Sequence, residues 1–355
     1  MRLASLLRRR AEGVGLGALF VCFSTLAAAE VDPSGAVSIP AVSIPFSTFA
    51  SVEAQKQFVD SAMHPSSPPP GTSIDGTRRF YDEFNSSLVG RMRQLYAVSV
   101  KSEMIGGILT DIIMPAQGIS AENQARVLIN LHGGAFMWGA HSGGLVESIP
   151  IAAVGRIKVI TIDYREAPEH LFPAASEDVA AVYRALLKTY RPKNIGIYGG
   201  SAGAVLSAES VAWFRAHDLP TPGAIGTFCG SVVDFRGDSA FVAPILTGQP
   251  FTGKPLSAMD LPYFKGVDPN DPMVFPGASG TVLAGFPPTL LITGSRDFAM
   301  SAVLRSHALL IEAHVDAELH VYDGMWHAFF IYPELRESTD TYAVIVHFFK
   351  QHLGH

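Results

Sequence analysis

Cysteine is almost absent: Cys22 and Cys229 are the only two in 355 residues. Charge is sparse as well, at 16% of residues against 48% hydrophobic. A chain so rich in apolar side chains can offset its conformational entropy, so a mainly disordered protein is excluded. The basic excess that a phosphate-binding face needs is missing. Lys and Arg number 26 against 32 Asp and Glu, a net charge of −6, and nucleic acid is no expected partner. No series of long apolar runs marks a polytopic membrane protein. The twelve histidines include no His-Glu-x-x-His, and no cysteine pair stands at ligand spacing, so a metallohydrolase is disfavoured. His307, His314 and His320 read as surface residues. What is left is a globular protein long enough for one large α/β domain with a lid.

The N-terminus has its own pattern. Arg2 and the run Arg8, Arg9, Arg10 precede an apolar stretch from Val14 to Ala28, closed by Ala27-Ala28-Ala29. This is the form of a signal peptide cleaved before Glu30, with Glu12 atypical in it. Cys22 lacks the small preceding residue of a lipid-modified cysteine. Loss of residues 1–29 removes four Arg and one Glu, taking the net charge from −6 to −9. Only Cys229 then remains, so no internal disulfide can form and the fold must stand on its core. A periplasmic or secreted protein, with no membrane span after cleavage, is the expectation.

Residues 30–95 read as an N-terminal extension and cap. Ala36-Val-Ser-Ile-Pro40 is repeated as Ala41-Val-Ser-Ile-Pro45, a helix-like stretch runs from Ser51 to Met63, and the segment Pro65–Gly76 breaks it. A second helix is predicted over Arg78–Tyr96, with Phe80, Phe84, Leu88 and Met92 every fourth residue, a stripe for packing on the body.

From residue 96 to 355 the pattern alternates. Tyr96–Val100 and Ile108–Met114 read as an antiparallel start. Arg126–Leu131, Ile157–Asp163, Asn194–Tyr198, Ala224–Cys229, Thr289–Thr293 and Glu318–Tyr322 are short β-branched runs. Helix-length segments at Ala174–Thr189, Ala202–His217, Ala299–His314 and Asp340–His352 separate most of them. Continuous apolar strands alternating with helices predict a mostly parallel sheet buried on both faces. Residues 231–286 interrupt the alternation and read as a cap or insertion. Functional residues belong beyond the C-terminal ends of the strands.

The strongest chemical signal is Gly199-Gly200-Ser201-Ala202-Gly203, between the strand Ile195–Tyr198 and a helix. A serine hydroxyl needs exposure, orientation and a base to act as a nucleophile. A strand–turn–helix elbow exposes it, and glycines two residues to either side relieve the turn. The Ala202 amide then stands at a helix N-terminus, able to donate to a developing oxyanion. Gly237-Asp-Ser239-Ala-Phe241 imitates the motif, but Phe241 stands where glycine is needed, so Ser239 is rejected. His132-Gly133-Gly134-Ala135-Phe136 follows the strand Val127–Leu131. Consecutive glycines there can turn backbone amides toward a negative oxygen, with His132 bracing the loop. Asp297 and His327 each stand just past a strand end, in the order Ser…Asp…His. His327 would take the serine proton while Asp297 fixes its tautomer. Asp323 is a rival acid, disfavoured because it lies on the same loop as His327. The charged segment Asp163–Ala174 reads as a rigid brace for the glycine turn.

Together these blocks resemble the hormone-sensitive-lipase family of α/β-hydrolases, the bacterial family IV esterases. The resemblance runs from about Tyr96 to His352. It implies an α/β-hydrolase fold with an eight-stranded sheet and a cap, and a cofactor-free hydrolase of small carboxylic esters. It also implies an oxyanion site of Gly133 or Gly134, Ala135 and Ala202. Three positions depart from the family: Gly200, where Asp or Thr is frequent; Ala204, where Gly is common; and Met300-Ser301, where a second acid often lies. Phe46, Phe49, Phe241, Phe251, Met259 and Phe264 suggest an apolar lid over a short- to medium-chain, aryl or xenobiotic ester, or equally a set that packs the lid on the body. A lactone hydrolase on the same triad, or a non-catalytic receptor on a hydrolase scaffold, are the alternatives. Whether the protein is a monomer or a homodimer is left open.

Overall fold

The computed structural model describes residues 30–31, 33–35, 37–38, 43–64, 67–249 and 253–354. The expected leader over residues 1–29, most of the tandem repeat, and Phe251 lie outside the described residues. The chain divides into two units, Met1–Pro45 and Phe46–His355. In the first, β1 (Glu30–Val31) and β2 (Val37–Ser38) pair antiparallel, with Gly35 in the left-handed region at φ +86 between them. The expected boundary at residue 95 does not coincide with this division.

The second unit begins with α1 (Val52–Met63) and α2 (Ile74–Leu95). Ser51 and Ser73 cap them, accepting the amides of Ala54 and Gly76, which satisfies donors that a helix start leaves free. Because Ser73 provides a cap inside the Pro-rich segment, α2 starts four residues before the expected Arg78. Then follow β3 (Val98–Ile105), β4 (Ile108–Pro115), β5 (Val127–Leu131), α3 (Ser142–Gly155) and β6 (Val159–Ile162). Next come α4 (Ala174–Leu186), β7 (Ile195–Gly200), α5 (Ala202–Ala216) and β8 (Ala224–Phe228). The chain finishes with α6 (Asp238–Leu246), α7 (Gly280–Leu283), β9 (Thr289–Arg296), α8 (Met300–Glu312), β10 (Ala317–Trp326) and α9 (Arg336–His352). No helix among the described residues is long and apolar enough to cross a membrane.

Strands β3 to β10 form one eight-stranded sheet in the order β10-β9-β8-β7-β5-β6-β4-β3. Pairs among β5 to β10 are parallel, and β4 pairs antiparallel with both β3 and β6. Alternate residues of the strands feed opposite faces. Val127, Ile129 and Leu131 join Tyr183, Leu206, Phe214 and Val303 on one face. Leu128 and Tyr198 join Met92, Val146, Ile345 and Phe349 on the other.

Helices α3, α6 and α7 are absent from the sequence-based expectation. Helix α3 is apolar nearly all round, and it contains Gly143, Gly144 and Pro150, so neither periodicity nor propensity marks it. Packing accounts for it: a Cβ at Gly144 would lie 2.1 Å from Thr161 Oγ1, so glycine lets α3 lie close on β6. Residues 231–286 also contribute to the core. Tyr263, Phe264, Val274 and Phe275 from this stretch are core residues, and Phe264 stands edge-on to Phe136.

The sheet changes direction between β5 and β7, because the chain leaves β5 for β6 on one side and returns to β7 on the other. A crevice opens at such a switch point beyond the strand ends. Helix α5 closes on it tightly, since a Cβ at Gly203 would lie 1.7 Å from the Leu131 carbonyl oxygen. Gly203→Ala should therefore cost roughly 1–3 kcal/mol or more, as for overpacked cores. Urea unfolding checks this, and an unchanged midpoint would show that the contact is looser than the geometry requires.

Candidate active site

At the end of β7 the backbone turns sharply. Ser201 sits at φ +54 and ψ −118, a sparsely populated conformation for a side-chain-bearing residue. Its amide is tied to the Phe228 carbonyl at 2.8 Å. Gly199 and Gly203 flank it, and a Cβ at either would run into the Leu131 carbonyl. The hydroxyl faces the loop after β10, where Ser201 Oγ lies 2.9 Å from His327 Nε2. On the other side of the ring, His327 Nδ1 lies 2.8 Å from Asp297 Oδ1, from the loop after β9. Phe298 stacks on the imidazole at 4.2 Å. Three residues expected from sequence are thus brought into one hydrogen-bonded line.

Asp297 is completely buried. Burial pushes its carboxyl up, but the charge and hydrogen bond of His327, the Ala299 amide and the Thr293 hydroxyl outweigh this and hold it below its ordinary value. It therefore stands ionised beside the ring. The rival acid, Asp323, does not reach this position in the hydrogen bonding. It accepts from the hydroxyls of Ser47 and Ser295 instead.

The glycine turn lies against the serine, with a Cβ at Gly133 placed 3.4 Å from Ser201 Cβ. Gly134, Ala135 and Phe136 all have positive φ. Ala202, as the first residue of α5, has an amide with no intrahelical acceptor, and Gly134 and Ala135 amides carry no backbone partner among the described residues. Gly133 is different and must be taken out of the expected donor set. Its amide already donates to Glu147 Oε1 at 3.0 Å.

The segment after β6 braces this turn as expected. The Tyr164 hydroxyl donates to the His132 carbonyl at 2.7 Å and its ring stacks on the imidazole at 4.2 Å. The Ala167 amide donates to the Phe136 carbonyl, and Asp163 accepts the His141 amide. His132 has its Nδ1 on the Gly133 carbonyl, away from the serine. Ser239 lies in the first turn of α6 and exchanges hydrogen bonds with Ser301 and Phe298, which ties α6 to α8.

Glu147, on α3, is the polar residue that the sequence reading missed. It accepts from Gly133 N, from Gly200 N at 3.1 Å and from Asn130 Nδ2 at 2.9 Å. Burial pushes its carboxyl up to about 7, although all three donors oppose that. A second group near the site is Cys229. Cys229, Asp297 and His327 are the one set at metal-ligand spacing among the described residues. Burial drives the Cys229 thiol well above its ordinary value, so it stays protonated, and both imidazole nitrogens are engaged. The arrangement suits proton transfer better than metal binding.

Above Ser201 opens a cavity of about 800 Å³. Phe58 of α1, Tyr81 and Phe84 of α2, Trp138, Phe298, Trp326 and Tyr332 supply its aromatic wall, and Ala240, Ala243 and Pro244 of α6 line it too. Tyr81 and Trp138 stack at 4.5 Å. The aromatics expected for a lid are placed elsewhere. Phe264 is core, Phe49 is 89% exposed, and Phe46 packs below the Arg296 guanidinium; neither Phe241 nor Met259 is among the described lining residues. The wall residues come from helices, from the end of β10 and from loops at Trp138, Phe298 and Tyr332, and their inward faces cannot be told from core positions without the fold.

Comparison with known proteins follows this geometry. A family described as alpha/beta hydrolase fold matches residues 128–331. An esterase of Acinetobacter venetianus is 29% identical over 238 residues, 62% of this chain and 74% of that protein. A putative acetyl-hydrolase, LipR, of Mycobacterium tuberculosis is 27% identical over 232 residues, 63% and 74% of the two chains. Among solved structures, esterase E25 superposes with a TM-score of 0.77 at 28% identity, covering 89% of this chain and 98% of that one. An esterase of the bacterial hormone-sensitive lipase family gives 0.76 at 25% identity, covering 86% and 100%.

The raised carboxyl of Glu147 has a measurable consequence. Its ordinary value is 4.5 and its folded value about 7, so between these the native state holds a proton that the unfolded chain releases. Stability from this source is full below 4.5 and is lost as pH rises through about 7. The Tm of the wild type minus that of Glu147→Gln should fall across this window and level off above it. A difference that stays flat from pH 5 to 8.5 would contradict the assignment.

Proposed function

The chain belongs to the α/β-hydrolase fold family, within its hormone-sensitive-lipase-like esterases, and we propose that it cleaves carboxylic esters through Ser201, His327 and Asp297. The observation that carries this reading is the continuous line of hydrogen bonds at 2.9 and 2.8 Å from Ser201 Oγ through the imidazole to the buried Asp297 carboxylate. With neutral His327, Nδ1–H donates to Asp297 and Nε2 accepts from the serine hydroxyl. Attack of Oγ on the ester carbonyl passes the hydroxyl proton to Nε2, and Asp297 stabilises the resulting imidazolium. The amides of Gly134, Ala135 and Ala202 supply donors for the oxyanion. The imidazolium then protonates the departing alcohol and leaves an acyl-serine. A water molecule, deprotonated by the same nitrogen, releases the acid and restores the hydroxyl.

The aromatic wall and the volume of the cavity suit an ester with an apolar acyl or aryl group, of short or medium length. Lactones present the same carbonyl. Helices α1, α2 and α6 act as the cap in this reading. Export directed by residues 1–29 is part of the same proposal, and N-terminal sequencing of protein recovered outside the cytoplasm checks it.

Ser201→Ala should fold normally and lose at least about 10³-fold in kcat, as triad knockouts do. Stoichiometric labelling of Ser201 by an organophosphonate is the expected companion result, and an unreactive serine would favour a receptor on a hydrolase scaffold. Across p-nitrophenyl esters of increasing chain length, kcat/KM should peak at short or medium acyl groups; a peak at long chains, or turnover of lactones alone, would overturn the substrate assignment.

A further inference from the structure

Ser201 and the Ala202 amide follow β7, whereas the Gly134 and Ala135 amides follow β5, and the distance between the two turns has to be held. Glu147 is the side chain that spans them. Its Oε1 holds the Gly133 amide and its Oε2 the Gly200 amide. Gly133 immediately precedes the donors Gly134 and Ala135, and Gly200 immediately precedes Ser201. The carboxylate is itself fixed. Asn130 Nδ2 donates to Oε2, and Thr161 Oγ1 donates to Asn130 Oδ1 at 2.8 Å, which sets the amide the right way round. One turn earlier, Gly144 seats α3 directly on Thr161.

Gly200 supplies an independent observation. Where the resembling family often has Asp or Thr, this chain has no side chain. A Cβ built there would lie 3.1 Å from Glu147 Oε1 and 2.9 Å from the ring of Phe330. The space behind the serine is thus filled by a carboxylate from another element. All three partners of that carboxylate are N–H donors, which an ionised acid can satisfy at once. An amide in its place turns an N–H₂ toward one of them.

From this geometry we infer that Glu147 is a positioning residue, holding the serine elbow and the oxyanion turn in register through the backbones of Gly200 and Gly133. The inference rests on the ester-hydrolase reading above. Misplacing a reacting group by about 1 Å can cost on the order of 100-fold in rate, so the loss belongs in kcat.

The test compares wild type, Glu147→Gln and Glu209→Gln on p-nitrophenyl acetate, with each rate expressed per active site counted by organophosphonate titration. Glu209 is a fully buried carboxyl away from the site whose partner is Ser176, so its variant reports the general effect of replacing an interior acid by its amide. Glu147→Gln should lose about 10- to 100-fold in kcat with KM held within about twofold. Its affinity for a trifluoromethyl ketone, which mimics the tetrahedral intermediate, should weaken by the same factor. Glu209→Gln should match the wild type. Equal losses in both variants, a rise in KM alone, or an unchanged kcat in Glu147→Gln would overturn the inference. Asn130→Ala serves as a second variant if Glu147→Gln does not fold. It removes one of the three bonds and should lower kcat about three- to tenfold with KM unchanged, whereas wild-type kcat there would also overturn the inference. A wild type that neither turns over ester nor takes the label would sink the hydrolase reading itself, an outcome distinct from these.

Discussion

The Leu131 carbonyl oxygen lies where almost any side chain on the facing turn would be: 1.7 Å from a Cβ on Gly203 and 2.2 Å from one on Gly199. That contact lets the end of β5 and the start of α5 touch backbone to backbone. From it follows the approach of the glycine turn to Ser201, with a Cβ at Gly133 placed 3.4 Å from that of the serine. The strained φ of Ser201 is tolerable because its amide is held by Phe228 and because α5 begins at once behind it. Local strain at such a site persists only when the surroundings over-determine it. Here two strands and a helix do so.

Two buried carboxylates then divide the electrostatic work in opposite senses. Asp297 faces the His327 imidazole and accepts from Ala299 and Thr293, and these contacts overcome burial, so its carboxyl is held low. Glu147 meets only neutral N–H groups, and burial dominates, pushing it up to about 7. The same functional group is thus a permanent counter-ion in one place and a backbone clamp near its titration point in the other. Cys229, packed between the loops that carry Asp297 and His327, gives its sulfur to the Ala328 amide. That bond helps shape the turn behind the imidazole while the thiol stays neutral.

Strand count, parallel order, the elbow and the turn were legible because each leaves a local mark. Buried parallel strands are continuous apolar runs, and a tight backbone approach demands glycine where it occurs. Asp297 and His327 were legible through their place at strand ends. Glu147 left no such mark. It sits on a helix whose glycines and proline oppose helix propensity and whose lack of a polar face removes the periodic signal. Gly200 hinted at it only as an unexplained vacancy beside the nucleophile. The cavity wall was not legible for a related reason, since an aromatic that lines a cavity and one that fills a core carry the same letters. Phe264 is core, while Phe84 of the α2 stripe both packs against the core and lines the cavity.

The residues that wall the cavity are fastened to the chemistry below them by polar contacts with an unexpected membership. Asp323, considered from sequence as an alternative acid on the His327 loop, lies instead within β10 and accepts from Ser47 and from Ser295 of β9. Ser51, the cap of α1, gives both its amide and its hydroxyl to Glu337 of α9. Arg78 of α2 donates to the carbonyls of Met137 and Ala167 and pairs with Glu169. The first helix is therefore anchored near the histidine loop, and the second beside the glycine turn. A change in cavity shape made by moving α1 or α2 has to break these contacts or drag the catalytic loops with it. The shape of the cavity is more readily altered by replacing side chains on the inner faces of α1 and α2 than by displacing the helices themselves.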